Sequence, residues 1–130
     1  MNTYEAYLQN EAGNILRMED ALTIYTDMIH CIHECKLEDK MDFWNDFLKN
    51  ALKYTCIRCE WETMTQEQRM EADRGRTLVH DGLITSLNIL SRIADKEELD
   101  VSWRERLGDD RKRIGDFACF VVYMTGISNR

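Results

Sequence analysis

The chain has 130 residues, 44% hydrophobic and 32% charged, with a net charge of −7, no proline and six glycines. A chain of this size buries about two-thirds of its unfolded surface in one domain, here expected over residues 1–130, and this composition excludes a disordered polymer. The acidic balance excludes nucleic-acid backbone as a partner, because phosphate neutralisation needs clustered Lys and Arg.

The acidity is uneven: residues 1–63 carry twelve acids against six bases, and residues 64–130 twelve against eleven. Met1 to Asn10 has neither the basic start nor the apolar core of a signal peptide. The longest apolar run, Phe117 to Met124, is too short to span a bilayer, so no membrane partner is expected. The five cysteines show no spacing that implies a disulfide framework. Reduced thiols in a cytoplasm are the expectation.

The shortage of chain breakers favours helices throughout. Asn2, with Glu5 three residues on, caps a first helix that turns Tyr4, Leu8 and Ala12 inward. After Gly13-Asn14, Ile15, Met18, Leu22, Tyr25, Ile29 and Ile32 recur at helical spacing, flanked by Met28 and Cys35. The polar turn Glu38-Asp39-Lys40 follows, and Asp39 caps a helix whose inward face is Trp44, Phe47, Leu48, Ala51, Leu52, Cys56 and Cys59. Its other face, Asn45, Asp46, Lys49, Asn50 and Lys53, is polar.

Thr65 and Gln68 form a capping-box pattern that starts a long helix. Within it, Val79, Leu83, Leu87, Leu90 and Ala94 make one apolar stripe, which Leu78, Ile89 and Ile93 widen to roughly half the circumference. This marks residues 74–94 as the central strut of the fold. Gly75 and Gly82, each costing on the order of 1 kcal/mol relative to Ala, share a face where a neighbouring helix is expected to approach closely. Asp95 to Trp103 reads as a polar connection. A last helix runs from about Asp109 to Met124, with Asp109 and Asp110 at its positive end and Gly126 as its C-terminal cap. The fold class is therefore all-α, an up-and-down bundle of four to five helices with short connections.

Three constellations carry chemistry. The cluster His30-Cys31-Ile32-His33-Glu34-Cys35, with Cys56-x-x-Cys59, suggests zinc. At about 100° per residue, however, the His pair and the Cys pair of one helix face directions about 150° apart, so one ion cannot take all four. A metal site would have to use Cys31, Cys35, Cys56 and Cys59 from facing helices; the alternative is structural thiols buried as small hydrophobes.

The second constellation is the pair His80-Asp81, which resembles that of the HD-domain phosphohydrolases, helical metal enzymes with a further His upstream and an Asp downstream. The resemblance implies a metal-activated water, with His30 or His33 as the former and Asp109, Asp110 or Asp116 as the latter. On the helical wheel, Asp116 points away from Ile114, Phe117 and Val121, and so away from the expected core.

Third, VHDGLITSLNIL resembles the phosphoacceptor helix of histidine phosphotransfer domains. That resemblance implies His80 as nucleophile with Asp81 holding its tautomer, although Leu83 stands where monomeric members carry Lys. Against both stands a bland alternative: Arg69, Asp73, Arg76 and His80 follow at i+4, i+3 and i+4 as a polar seam, with His80 hydrogen-bonded inside the seam or to a neighbouring helix.

The basic run Arg111-Lys112-Arg113, with Arg104 and Arg106 nearby, is either a solvated face or the receptor of an acidic partner, such as the acidic N-terminal half of a second copy. Trp61, Trp103, Phe120 and Tyr123 are hard to place inward, which suits a helix–helix interface. The pattern Arg76, His80-Asp81, Ile84, Leu87-Asn88, Leu90 is similar to that of small helical proteins from bacterial genomes. That similarity implies a helical fold and carries no function. Together these readings favour a cytoplasmic interaction or assembly module, without catalytic residues or cofactor, that binds a protein partner or a second copy of itself.

Overall fold

Helix signals of the kinds described above decide the architecture. The computed structural model describes residues 15–126, with Glu62 described in its backbone only. Over those residues the chain is an all-α bundle of five helices: α1 (Met18–Glu34), α2 (Lys40–Glu60), α3 (Gln66–Lys96), α4 (Ser102–Leu107) and α5 (Arg111–Thr125), with a 3-10 turn at Trp61–Thr63. The expected helix carrying Tyr4, Leu8 and Ala12 lies outside the described residues. No helix among those described is long and apolar enough to cross a membrane.

The caps follow their chemistry. Thr65 and Gln68 close a full capping box on α3, which satisfies two of the amides a helix start leaves bare. Asp110 accepts from the Arg113 amide at the start of α5, and Gly126 ends it in the left-handed conformation. A side chain at that φ of 67° would be strained, so glycine is the residue that fits. Asp39 sits at the N-cap of α2 but makes no side-chain capping bond.

The largest interface is α2 against α3, followed by α2 against α5, while α1 rests on α4 and α5. Tyr54 faces His80 and Asn50 faces Gly82, so α2 and α3 run antiparallel. A Cβ on Gly82 would lie 3.1 Å from the Asn50 side chain, the close approach expected of the α3 glycines; Gly75 meets no neighbour. The tightest contact is elsewhere. A Cβ on Gly115 would stand 2.4 Å from the Tyr54 hydroxyl, so only glycine lets α5 seat against α2.

The structure corrects the centre of the fold. Residues 114–122 of α5 are all buried, whereas α3 buries one narrow stripe, His80, Leu83, Ser86, Leu87, Leu90 and Ala94. Leu78 is 67% exposed. The strut is α5, because it packs on α1, α2, α3 and α4 and, unlike α3, buries its whole circumference over residues 114–122. The α1 stripe is also displaced: Ala21, Ile24, Met28, Cys31 and Ile32 are buried, with Cys35 at the cap, while Ile15 and Leu22 are about half exposed. On α2 the inward face turns after Ala51 to Tyr54 and Thr55, and Cys56 is exposed. The expected polar connection after α3 contains a helix, α4, whose Trp103 and Leu107 are fully buried. Phe120 is buried too, and Trp61 and Tyr123 are partly buried.

Candidate functional site

The capping box fixes where α3 starts, and the antiparallel pairing then carries His80 down beside Tyr54. The two rings meet edge to face, with centroids 5.7 Å apart. His80 is only 3% exposed, and its Nε2 lies 2.7 Å from the carbonyl oxygen of Arg111 at the start of α5. A carbonyl can only accept, so Nε2 carries the hydrogen and a neutral ring has its lone pair on Nδ1. That Nδ1 is buried and has no hydrogen-bond partner. Burial pushes the imidazole below its usual pKa, an effect the Arg111 carbonyl opposes and the Arg111 guanidinium reinforces. At neutral pH the ring is uncharged. Of the two positions foreseen for His80, the bond to a neighbouring helix is the one found.

His80 forms part of the wall of a cavity of about 380 Å³ between the end of α2, the 3-10 turn, α3 and the start of α5. The other lining residues are Tyr54, Arg58, Trp61, Arg76, Thr77, Arg111 and Lys112. Among these described residues four are basic and none is acidic. Described carboxylates outside the lining position Arg58, Arg76 and Arg111: Asp116 holds Arg58 at 2.7 Å, Asp73 holds Arg76 at 2.6 Å, and Asp81 holds Arg111 at 3.2 Å. The Arg76 guanidinium also lies 4.3 Å from the centroid of Trp61, whose ring Arg69 approaches to 5.6 Å, an attraction between a cation and a π-face. Each guanidinium has five N–H donors, and one carboxylate does not exhaust them. Arg111 is the first residue of α5, so the positive end of the helix dipole is directed to the same place.

The basic run does not act as one patch. Arg113 turns onto the carbonyls of Leu107 and Arg106, at 2.8 and 2.9 Å. Arg104 binds the Asn88 side chain, the Gly108 carbonyl and Asp109, and Arg106 pairs with Asp27 across to α1. These three cations tie α4 into the bundle, and Arg111 and Lys112 are left at the cavity.

The other sequence candidates are dispersed. Asp81 is exposed and paired with Arg111; it does not touch the ring it was expected to orient. His30 is exposed and pairs with Glu34 at 3.2 Å. His30 and His33 lie near the end of α1, which meets the far end of α3 through Cys35 and Glu97, about 25 Å of helix from His80 at 1.5 Å per residue. The same rise puts Cys56 about 25 Å along α2 from the turn where Cys35 sits, so Cys31 and Cys35 are separated from Cys56 and Cys59. Among the described residues no group of three or more His, Cys, Asp or Glu side chains is placed to hold a metal ion. Asp116 reverses its wheel assignment. It is fully buried, bound to Arg58, and accepts from the amides of Ile15 and Leu16 at 3.0 and 3.2 Å.

All five cysteines are free thiols, and their surroundings set an order of reactivity. Cys56 is exposed, burial pushes Cys59 up to about 11, and Cys31, Cys35 and Cys119 are buried. Since the thiolate is the nucleophile, native protein treated with a thiol reagent is expected to label at Cys56 first and Cys59 later. The other three should label only on unfolding. Peptide mass spectrometry over time reads this directly, and early labelling of Cys31 or Cys119 would contradict the packing.

Sequence reasoning marked His80 and Arg76 but missed Tyr54 and Arg58 as cavity residues. Arg58 gave a signal, a lone cation on the inward edge of α2, but its partner is 58 residues away. No protein-family model, no curated protein and no solved structure matches the chain.

Proposed function

We propose that this chain is a non-catalytic helical binding module that recognises an anionic group in the cavity between α2, α3 and α5. One observation carries the reading: on a chain of net charge −7, Arg58, Arg76, Arg111 and Lys112 converge on a cavity with no carboxylate among the described residues of its lining. Its volume falls within the range of about 300–1,000 Å³ common to small-molecule sites. Pre-positioned guanidinium groups suit planar or tetrahedral anions. Against a phosphoacceptor role stands the burial of His80, since a phosphorylated imidazole must be reached by its donor. A cytoplasmic setting accords with five unpaired thiols.

Isothermal titration calorimetry with inorganic phosphate, sulfate and citrate tests the reading. We expect saturable one-to-one binding of at least one of them, weakened about ten-fold or more when Arg111 and Lys112 are both replaced by serine, given the strength of hydrogen bonds to charged groups. Both side chains are exposed, so the variant should fold. The absence of binding by any of the three would end the proposal.

A second reading, self-association, is favoured by exposed apolar residues on α1 and just before its start. Ile15 and Leu22, seven residues apart, are 48% and 47% exposed, with Met18, Tyr25 and Ile29 half-buried alongside. In sedimentation analysis a concentration-dependent rise above 15.4 kDa that Leu22→Glu abolishes is the expected result. A mass constant with concentration removes this reading.

A further inference from the structure

The pair Cys56-x-x-Cys59 lies outside the cavity lining, and its place in the fold suits thiol chemistry. Both residues sit near the end of α2. Residues three apart on an α-helix project about 60° from one another, with Cα atoms about 5 Å apart. A disulfide accepts Cα separations of about 4.4–6.8 Å. The pair can therefore be bridged by adjustment within the end of the helix, where a 3-10 turn already follows. Cys56 is exposed and Cys59 half-buried, whereas Cys31, Cys35 and Cys119 are buried. The Cys35 thiol donates to Glu97 at 3.0 Å. Cys119 is 1% exposed, and its sulfur accepts from Thr55 and Arg58 at 3.6 and 3.5 Å. A reagent arriving from solvent meets Cys56 first, with Cys59 one turn away.

We propose that Cys56 and Cys59 form a reversible modification site: Cys56 captures half of a small-molecule disulfide, and Cys59 expels it by closing an intrahelical disulfide. In the first step the Cys56 thiolate attacks one sulfur of the reagent. A bond from Cys56 to that sulfur forms, the S–S bond of the reagent breaks, and its other half leaves as a thiolate that takes a proton. The Cys59 thiolate then attacks Sγ of Cys56, and the captured half leaves in the same way. The pair has lost two electrons and two protons, and the reagent has become two thiols. Burial pushes both thiols up, and the Cys119 and Cys56 sulfurs add to the rise of Cys59. The thiolates are minor forms at neutral pH, so exchange is slow, but the reduced pair has no thiolate stabilisation that would favour it over the disulfide. A transient disulfide of this kind is compatible with a reducing compartment. Neither step uses the cavity, so the modification stands whether or not an anion binds there.

The test is incubation of the full chain with glutathione disulfide at about pH 8–9, where more thiolate is present, followed by acid quench and mass spectrometry. Trypsin cuts after Arg58, between the two cysteines, so a Cys56–Cys59 disulfide holds together the peptides of residues 54–58 and 59–69. We expect that linked pair to accumulate, with the loss of two hydrogens from the intact mass, and dithiothreitol to restore the reduced chain. In Cys59→Ser the glutathione adduct should instead persist on Cys56. In Cys56→Ser the linked pair should be lost. A link from residues 59–69 to the peptide of residues 114–130, which carries Cys119, overturns the proposal. So does an adduct on Cys56 that is as persistent in the native chain as in Cys59→Ser, or a native chain that the reagent leaves unmodified. The peptide map of the native chain decides the matter even where Cys59→Ser does not fold.

Discussion

Replacing Asp116 with alanine is expected to cost about 3–5 kcal/mol of folding stability, the loss that follows when one partner of a buried ion pair is removed. Its carboxylate is fully buried and has one oxygen on the Arg58 guanidinium at 2.7 Å and the other on the amides of Ile15 and Leu16. Alanine would strand a guanidinium that is only 18% exposed and two backbone donors at once, each a desolvation cost without a return. Removing both charges is a different experiment. Asp116→Leu combined with Arg58→Met should recover much of the loss, because a buried pair often contributes little net stability over an apolar pair of similar volume. Denaturant titration of the single and double variants checks this. An Asp116→Ala loss under about 1 kcal/mol, the scale of an exposed pair, would mean the carboxylate is hydrated after all.

Trp103→Ala should be nearly as damaging, at about 3–5 kcal/mol for a large buried aromatic. Trp103 is 1% exposed and holds α4 against α1, so truncation both removes apolar burial and opens a cavity that a helix of six residues is poorly able to close. Trp103→Phe should cost less, because it keeps most of the ring volume and removes an indole N–H that has no hydrogen-bond partner. Denaturation curves of the two variants rank them. A surface tryptophan would show losses within about 0.5 kcal/mol for either change.

These two residues also show where the amino-acid sequence was legible. Backbone chemistry reads well locally: the Thr65-Gln68 box, the Asp110 cap and the Gly126 terminus are all where spacing puts them. Periodicity reads less well. On α1 two apolar stripes lie side by side, and the one with the bulkier residues, Ile15, Met18 and Leu22, is not the more buried; the stripe through Ala21, Ile24 and Met28 is. Small residues allow close approach to α4 and α5, a tertiary preference that hydrophobicity along one helix does not contain. Helix α4 is too short to show a period, so Trp103 looked like loop. Asp116 looked exposed because a wheel assigns charge to solvent, and only the fold discloses that Arg58 arrives from another helix. For the cavity, His80 was visible as a residue but not its depth. The separation of Arg111 from Arg113 depends on which carbonyls α4 leaves open.

The carboxylate of Asp116 has one more consequence, for exchange with solvent. The amides of Ile15 and Leu16 are bonded to a side chain about a hundred positions later in the chain, outside any helix. Amides in irregular backbone ordinarily open by local fraying, at almost no free-energy cost. Here opening them means breaking bonds to a fully buried carboxylate of α5 that also holds Arg58. Their deuterium uptake is thus coupled to whole-molecule unfolding, and two amides beside the start of α1 become reporters of global stability.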